Sequence, residues 1–508
     1  MARPSLQARC AGLAIPLFSL RGRRDAGIGE ILDLVPLLQW AAGFGQRVVQ
    51  LLPINETGPG EASPYNALSA FAIDPLYLSV HAIAGAPPVG AVGPRDGVLP
   101  RDAIRAAKLG ALAAAFVAFR RTRSSPEWRR FRRFSAAQRH WLDDYVLYRA
   151  LRERQGAESW EHWPAELRQR QPAALTAAAA ALQPRLEFLR FVQWRAAEQW
   201  GAVRRAARQC GVWLKGDLPF VISRDSADVW ARQDEFDPDY SVGAPPDDFS
   251  ASGQSWGLPM YRWPRVRATD FAWWRLRVRQ ASALYDLFRI DHIIGFFRTY
   301  AIANDGRRRG FVPADESAQR EQGEAFLRAV LEDSSAALPV AEDLGSVPAW
   351  VRAVLHQLGI PGYKVFRWER DPHQYRDPRQ YDPLSVATTG THDTDTLVEW
   401  WAGLAADERA QVLALLGSEP EREAAAAMPL PHAALLERLY QAGSAFVIVP
   451  LQDLLGWRDR INVPATPSHQ NWNWRLPLAV EELAGDAAVN AATATVAGLL
   501  KAAGRSWQ

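Results

Sequence analysis

Three acidic motifs follow apolar runs at regular intervals along the chain. Asp291 follows LYDLFRI, Glu342 follows LPVA, and Asp393 follows VATTGTH. The steps from Asp291 to Glu342 (342 − 291) and from Glu342 to Asp393 (393 − 342) are both 51 residues. This spacing leaves room for a helix and a loop between successive strands. In a barrel of alternating strands and helices, the active site lies at the carboxyl ends of the strands, so acids at such positions indicate chemistry.

Two of these carboxyl groups suit cleavage of a glycosidic bond with retention of configuration. A retaining glycosidase needs a carboxylate nucleophile and a protonated carboxylic acid about 5–5.5 Å apart. Asp291 and Glu342 lie on adjacent predicted strands. Arg289 lies two residues before Asp291, hence on the same side of its strand, where its guanidinium can keep the aspartate ionised. The pattern predicts Asp291 as the nucleophile and Glu342 as the acid, with the pKa of Glu342 raised by burial or by nearby carboxylates.

Further polar residues near these motifs have both functional and structural interpretations. Asp393 and His392 can hydrogen-bond sugar hydroxyls and help to distort the ring toward an oxocarbenium-like transition state. Alternatively, Asp393 caps the helix that begins in DTLVEWW. Asp217, near the end of VWLKGDLPF, is either a sugar-binding acid or a residue that fixes its loop. For the first two motifs, the structural alternative is a pair of salt bridges at strand ends.

Eight short apolar runs, which alternate with helical patterns, predict the strands that position these residues. The runs are LAIPLF (13–18), VVQLLPI (48–54), VWLKGDLPF (212–220), LYDLFRID (284–291), LPVAED (338–343), YKVFRW (363–368), VATTGTHD (386–393) and FVIVPLQDLL (446–455). Eight is the strand number of the (β/α)8 TIM barrel. We therefore predict an α/β chain with one catalytic barrel domain over residues 1–508 and no separate C-terminal β-domain.

One connection is far longer than a barrel requires. About 150 residues separate the second run from the third. The stretch from about 102 to 210 is rich in Ala, Arg, Glu, Gln and Trp, with apolar residues at three- and four-residue intervals, whereas the Pro- and Gly-rich stretch 83–100 suits an exposed loop; together they cover about 80–210. We predict that this region is an inserted, mainly helical subdomain.

The composition excludes several classes of protein. The chain has 508 residues and a formal net charge of +3, because 59 Lys and Arg nearly balance 56 Asp and Glu. This balance does not suggest binding to nucleic acid, and the arginine clusters at 120–123 and 129–133 suit a solvated helix face. No run reaches the roughly 18 apolar residues that span a bilayer. Only Cys10 and Cys210 are present, which predicts a reducing compartment and hence the cytoplasm.

Longer motifs resemble those of the 4-alpha-glucanotransferases called amylomaltases or disproportionating enzymes, which form glycoside hydrolase family 77 of the α-amylase clan. These motifs are SPYNALSAFAIDPLY (63–77), KGDLPFVISRDSADVW (215–230), GAPPDDFSASGQSWGLPMY (243–261), RIDH (289–292), AEDLG (341–345), GTHDTDT (390–396) and NWNWR (471–475). They run through nearly the whole chain. The string at 243–261 is specific to the family, whereas RID, ED and HD are shared by the wider clan.

The resemblance implies a retaining transferase that moves α-1,4-glucan segments to the 4-hydroxyl of an acceptor glucan or glucose, with no cofactor and no metal. Asp291 resembles the nucleophile, Glu342 the acid/base, Asp393 the transition-state stabiliser, and Arg289 the arginine that orients the nucleophile. The residues that resemble sugar-contacting groups are Asp217, His392 and Asn462 around the scissile bond, and Ser63 and Tyr65 in the glucan groove. The implied partners are α-1,4-glucans and maltooligosaccharides, with no nucleic acid and no membrane; the sequence does not indicate an oligomeric state.

Residues from about 240 to 265 resemble a loop that covers the bound glucan in this family. A glucan offers apolar CH faces that stack on aromatic rings, and hydroxyls that need hydrogen-bond partners. Asp247, Gln254, Trp256 and Tyr261 offer both kinds of contact. A cover that excludes water would favour transfer over hydrolysis. The neighbouring Gly, Ser and Pro favour a loop around Trp256, and the alternative is that Trp256 is a core aromatic.

Two other functions remain as alternatives. One is an α-1,4-glucan hydrolase of the same clan, in which water replaces the sugar acceptor. The other is a non-catalytic glucan-binding protein. The joint presence of Asp291, Glu342 and Asp393 opposes the second alternative.

Overall fold

Twelve β-strands make up two sheets in the part of the chain that the computed structural model describes, namely residues 4–93, 97–246, 253–334, 337–371, 374–464, 466 and 468–505. The strands are β1 (Cys10–Ala14), β2 (Val48–Gln50), β3 (Trp213–Leu218), β4 (Phe236–Ala244), β5 (Gln254–Tyr261), β6 (Leu287–Ile290), β7 (Thr299–Ala303), β8 (Arg309–Val312), β9 (Leu338–Ala341), β10 (Gly362–Val365), β11 (Ser385–Thr388) and β12 (Phe446–Pro450).

Eight of these strands form a nearly closed parallel barrel in the order β10, β11, β12, β1, β2, β3, β6, β9. The gap between β9 and β10 is bridged by the Ala341 N–H, which donates to the Pro361 carbonyl at 2.8 Å. Every predicted apolar run overlaps one barrel strand, so the barrel prediction is confirmed. The register pairs Asp217 of β3 with Arg289 of β6, which in turn pairs with Val340 of β9.

Helices surround the barrel and fill its long connections. They are α1 (Leu34–Gly43), α2 (Arg101–Phe119), α3 (Pro126–Ala137), α4 (Arg139–Arg154), α5 (Ala165–Arg168), α6 (Pro172–Ala181), α7 (Gln183–Cys210), α8 (Ala227–Ala231), α9 (Trp263–Ala268), α10 (Ala272–Leu284), α11 (Ile294–Phe297), α12 (Glu316–Asp333), α13 (Ala349–Gln357), α14 (Leu397–Gly403), α15 (Ala406–Leu413), α16 (Glu419–Ala426), α17 (His432–Tyr440), α18 (Leu451–Leu455) and α19 (Ala487–Ala502). Among the described residues, no helix has both the length and the apolar character that crossing a membrane requires.

The connection between β2 and β3 is helical from α2 to α7. Aromatic side chains from several of its helices pack together, as shown by Phe119 and Phe191, whose ring centroids lie 5.1 Å apart. Helix α7 ends at Gly211, which has a φ of 66°. Glycine adopts this left-handed conformation without steric cost, and it turns the chain directly into β3. The predicted helical character of this barrel insertion is confirmed.

The remaining strands form an antiparallel sheet in the order β5, β4, β7, β8. The expectation of a loop around Trp256 is wrong, because Trp256 lies within β5. The Gly and Pro residues that suggested a loop are accommodated by this sheet. A Cβ atom at Gly243 would meet the Gln254 carbonyl oxygen at 2.0 Å, so the close approach of β4 to β5 requires glycine there.

Candidate active site

Arg289 connects three acids at the carboxyl ends of the barrel strands. Its Nη1 lies 2.9 Å from both carboxylate oxygens of Asp217 and 2.8 Å from Asp291 Oδ1. Its Nη2 lies 3.4 Å from Glu342 Oε2. The residue is only 9% exposed, so these charge interactions are weakly screened. The structure therefore brings together Asp217, Arg289, Asp291 and Glu342, as the sequence predicted for residues on adjacent strands.

The carboxylate of Asp291 is held through both oxygens but is still accessible. Besides the contact with Arg289, its Oδ2 accepts a hydrogen bond from the Phe220 N–H at 3.2 Å. Its side chain is 22% exposed, compared with 11% for the side chain of Arg289. A carboxylate that is held in place by polar contacts and is still partly exposed suits nucleophilic attack.

Glu342 lies in an environment that favours its protonated form. Burial raises the pKa of Glu342 to about 7, with Arg289 opposing the shift and Asp291 adding to it. The His292 N–H donates to Oε2 at 2.8 Å and the Leu344 N–H donates to Oε1 at 3.1 Å. His292 has a φ of 48°, a left-handed conformation that is uncommon for a residue with a side chain. A carboxyl group with this pKa can donate a proton near neutral pH and accept it back.

Asp393 differs from Glu342 in its charge state. Its Oδ1 accepts a hydrogen bond from Asn462 Nδ2 at 2.6 Å, and its Oδ2 lies 3.3 Å from His392 Nε2. Burial acts to raise the pKa of Asp393, but His392 and Asn462 outweigh it and hold the pKa at about 2. Asp393 therefore remains ionised and can stabilise positive charge. The structure brings His392 and Asn462 together with it.

Asp217 and Tyr65 form the inner wall of the site. The Tyr65 hydroxyl donates to Asp217 Oδ2 at 2.7 Å. Burial raises the pKa of Asp217, while Arg289 opposes the shift. The ring of Tyr65 stacks on His392 with centroids 5.2 Å apart, and its backbone N–H donates to Ser63 Oγ at 3.3 Å. Tyr65 therefore lies beside Asp217 and His392, and Ser63 is linked to the site through the backbone of Tyr65.

The predicted cover residues have different positions. The Trp256 indole packs edge-on against His292 with centroids 5.0 Å apart, and its Nε1 donates to Gln254 Oε1 at 3.4 Å. The expectation that Tyr261 contacts sugar is wrong: the residue is 0% exposed, because its ring packs in the core and its hydroxyl donates to the Phe220 carbonyl at 2.7 Å. Asp247 lies outside the described residues.

Several residues near the site carried no prediction. Lys215 is fully buried, and its Nζ donates to Gln50 Oε1 at 2.8 Å and also contacts the Tyr363 hydroxyl. Burial holds the pKa of Lys215 well below its usual value. Lys215 and Asp217 are two positions apart, so strand alternation alone would have placed both side chains on the barrel interior. Trp472 packs against His392 with centroids 5.6 Å apart.

Comparison with known proteins gives one matching family, two similar sequences and one similar structure. A sequence profile of the 4-alpha-glucanotransferases matches residues 15–480. The 4-alpha-glucanotransferase of Chlamydia pneumoniae is 34% identical over 495 residues, which cover 93% of this chain and 92% of that protein. The 4-alpha-glucanotransferase of Thermus thermophilus is 33% identical over 497 residues, which cover 92% of this chain and 95% of that protein. The amylomaltase from Streptococcus agalactiae in complex with acarbose has a similar fold, with a TM-score of 0.86, 24% identity, and coverage of 98% of this chain and 100% of that chain.

Proposed function

The chain belongs to the 4-alpha-glucanotransferase family and is an enzyme of glucan transglycosylation, for which we propose a retaining double displacement at Asp291, Glu342 and Asp393. The observation that carries this assignment is the contact of one buried guanidinium, that of Arg289, with Asp217, Asp291 and Glu342. In this arrangement Arg289 supports the ionised nucleophile while burial keeps a proton on Glu342.

In the first displacement, the Asp291 carboxylate attacks the anomeric carbon of the donor glucan. The C–O bond to the leaving segment breaks, and Glu342 transfers its proton to the departing 4-oxygen. A β-glycosyl ester on Asp291 and a shortened glucan result. The ionised Asp393 stabilises the oxocarbenium-like charge that develops on the sugar ring.

In the second displacement, the ester is transferred to the acceptor. Glu342, now ionised, removes the proton from the 4-hydroxyl of a glucan or glucose, and that oxygen attacks the anomeric carbon. The ester bond to Asp291 breaks and an α-1,4 bond forms. Glu342 is protonated again and the enzyme returns to its starting state.

We propose substrate-binding roles for the residues that surround the acids: Ser63, Tyr65, Asp217, Gln254, Trp256, His392 and Asn462. Tyr65 supplies an aromatic face, while Asp217, His392 and Asn462 supply hydrogen-bond partners. Trp256 and Gln254 cover the site from β5, and this cover favours a sugar acceptor over water. A role for Asp247 in the same cover is proposed from the sequence alone.

The domain division and the compartment are also proposals. They comprise a single catalytic domain over residues 1–508, an inserted subdomain at about 80–210, a covering region at about 240–265, and a cytoplasmic location. The two cysteines, Cys10 and Cys210, are both free thiols in the structure, which suits a reducing compartment.

The decisive experiment is incubation of the purified protein with maltotriose alone, with products resolved over time. Transfer yields glucose and a ladder of longer maltooligosaccharides with little gain in reducing ends. Glucose and maltose with a matching rise in reducing ends would instead identify a hydrolase. Asp291→Asn is the control, and it is expected to abolish turnover while glucan binding is retained. Turnover by that variant would contradict the assignment of the nucleophile.

A further inference from the structure

The nucleophile accepts a hydrogen bond from a backbone amide in addition to its ion pair with Arg289. The Phe220 N–H donates to Asp291 Oδ2 at 3.2 Å. Phe220 belongs to the turn at residues 219–220, which follows β3 directly. The direction of a backbone N–H bond is fixed by the orientation of its peptide group. The alignment of the Phe220 N–H with Asp291 therefore depends on the contacts that fix the backbone at residues 219–220.

Two buried side chains hold the carbonyl groups of the same turn. Arg277 Nη2 donates to the Pro219 carbonyl at 2.6 Å, and the Tyr261 hydroxyl donates to the Phe220 carbonyl at 2.7 Å. Arg277 is 2% exposed and Tyr261 is 0% exposed. Arg277 lies on α10, and Tyr261 is the last residue of β5. Elements other than the barrel strands therefore fix the turn beside the nucleophile.

The guanidinium of Arg277 is buried between aromatic rings and has few polar atoms around it. Its guanidinium carbon lies 3.9 Å from the ring centroid of Trp274 and 4.8 Å from that of Trp273. Among the described residues, its Nε and Nη1 have no hydrogen-bond partner. Burial lowers the pKa of Arg277, and Tyr261, Asp228 and Asp291 oppose that shift. Burying the charge of Arg277 is costly unless partners offset it, and here the partners are the Pro219 carbonyl, two indole rings and the Tyr261 hydroxyl.

We propose that Tyr261 and Arg277 are positioning residues for the nucleophile, because they fix the 219–220 turn so that the Phe220 N–H supports the Asp291 carboxylate. This inference rests on the proposed assignment of Asp291 as the nucleophile. Tyr261 is also the last residue of β5, whose first residues cover the site. The hydrogen bond from the Tyr261 hydroxyl therefore connects the end of β5 to the turn that contacts Asp291.

The test is kinetic analysis of Tyr261→Phe and Arg277→Met with two donors, maltotriose and α-maltosyl fluoride. Fluoride leaves with little help from an acid, so its release reports on the nucleophile rather than on Glu342. We expect kcat/KM to fall about tenfold with both donors, since support for a charged group is weakened. We also expect the acid limb of the pH profile to move up by roughly half a pH unit, because the ionised carboxylate is less favoured.

Tyr381→Phe is the matched control, because it removes a buried hydroxyl that has no hydrogen-bond partner among the described residues. It should change neither rate nor profile. All variants are compared at a temperature where circular dichroism shows fully folded protein.

The outcomes separate a failure of the nucleophile assignment from a failure of the positioning role. If Asp291→Asn still releases fluoride at the wild-type rate, the assignment of the nucleophile fails. If Asp291→Asn is inactive but Tyr261→Phe and Arg277→Met keep the wild-type acid limb, only the positioning role fails. A lower rate with an unchanged acid limb would reveal a purely structural role for both residues.

Discussion

At the scale of residues, the site separates the charge states of its acids by their surroundings. Asp393 has strong partners in His392 and Asn462 and a pKa of about 2, whereas Glu342 is buried and has a pKa of about 7. Two carboxyl groups of similar intrinsic acidity thus differ near neutral pH, one ionised and one able to donate a proton. This separation is what general acid catalysis beside a charged transition state requires.

The pKa of Glu342 predicts how activity depends on pH. The value of about 7 implies that kcat/KM for maltooligosaccharides falls as the pH rises above about 7, because ionised Glu342 cannot protonate the leaving glucan. Glu342→Gln should lower this activity roughly 10²–10⁴-fold while α-maltosyl fluoride is affected far less. The pH profile of initial rates measures the first effect, and initial rates of the variant with the two donors measure the second. Glu235→Gln is the control, because Glu235 is also a buried glutamate with a raised pKa. A uniform loss across leaving groups would contradict the acid role.

The raised pKa of Glu342 also predicts that the free energy of unfolding falls as the pH rises. The pKa of Glu342 rises from 4.5 in the unfolded chain to about 7 in the fold, so the folded state binds the proton more tightly. This stabilisation is complete below pH 4.5 and is lost as the pH rises through 7. Between about pH 5 and pH 8, the wild type should lose about 2–3 kcal/mol of unfolding free energy relative to Glu342→Gln. Denaturant unfolding at both pH values measures this, and an equal pH response of the two proteins would refute it.

The clustering of Asp291 and Glu342 could be predicted from the sequence, whereas the residues that hold the turn beside Asp291 in place could not. Asp291 and Glu342 follow apolar strands immediately, and strand alternation places Arg289 beside Asp291. By contrast, Tyr261 contacts the turn at 219–220 from 41 residues away, and no short-range pattern encodes that contact. Its aromatic ring and polar tip suited a sugar contact equally well, which is why the sequence assigned it the wrong role.

At the scale of elements, the described part of the proposed cover is a strand pair rather than a free loop. Strands β4 and β5 pair in antiparallel fashion, and β4 also pairs with β7, so the hairpin is part of a four-stranded sheet. Trp256 projects from β5 to His292, whose N–H contacts Glu342. A hydrogen-bonded sheet holds such a side chain more firmly than an isolated loop would.

This geometry predicts that Trp256 limits the access of water. Trp256→Ala should raise the share of hydrolysis roughly threefold to tenfold, because water replaces the indole beside the glycosyl ester. The measurement is the gain in reducing ends per glucose released from maltotriose. Trp350→Ala is the control, since Trp350 lies on α13 and packs against Phe297 instead. An unchanged ratio in Trp256→Ala would show that the indole does not exclude water.

The barrel itself was predictable because its signals are local. Each barrel strand is a short apolar run between turn residues, and the eight runs match the eight strands. The antiparallel sheet was missed because β4 and β5 contain Gly, Pro and Asp, which are depleted in strands, and because pairing between β4 and β7 joins distant residues. In this sheet, hydrogen-bonded pairing between strands outweighs the low strand propensity of the residues in β4 and β5.

At the scale of the whole molecule, the helical insertion and the C-terminal segment meet beside Tyr65 and His392, for which we propose substrate-binding roles. Arg101, the first residue of α2, donates through Nη2 to the Trp472 carbonyl and through Nη1 to Asn473 Oδ1 at 2.8 Å. Trp472 has a φ of 63°, which is strained for a large side chain. Its ring lies 6.1 Å from that of Tyr65, so this distant link shapes the aromatic wall of the site.

This link predicts that Arg101→Ala weakens substrate binding from outside the barrel. Without the guanidinium, the strained Trp472 backbone can relax and its ring moves away from Tyr65. We expect KM for maltotriose to rise about fivefold, equal to about 1 kcal/mol of binding free energy, with little change in kcat, because the displaced ring lies beside the substrate rather than at the reacting bond. Steady-state kinetics measure this, and Arg121→Ala serves as the control because Arg121 is exposed on the same insertion. If Arg101→Ala lowers the melting temperature but leaves KM unchanged, the insertion stabilises the fold without shaping the site.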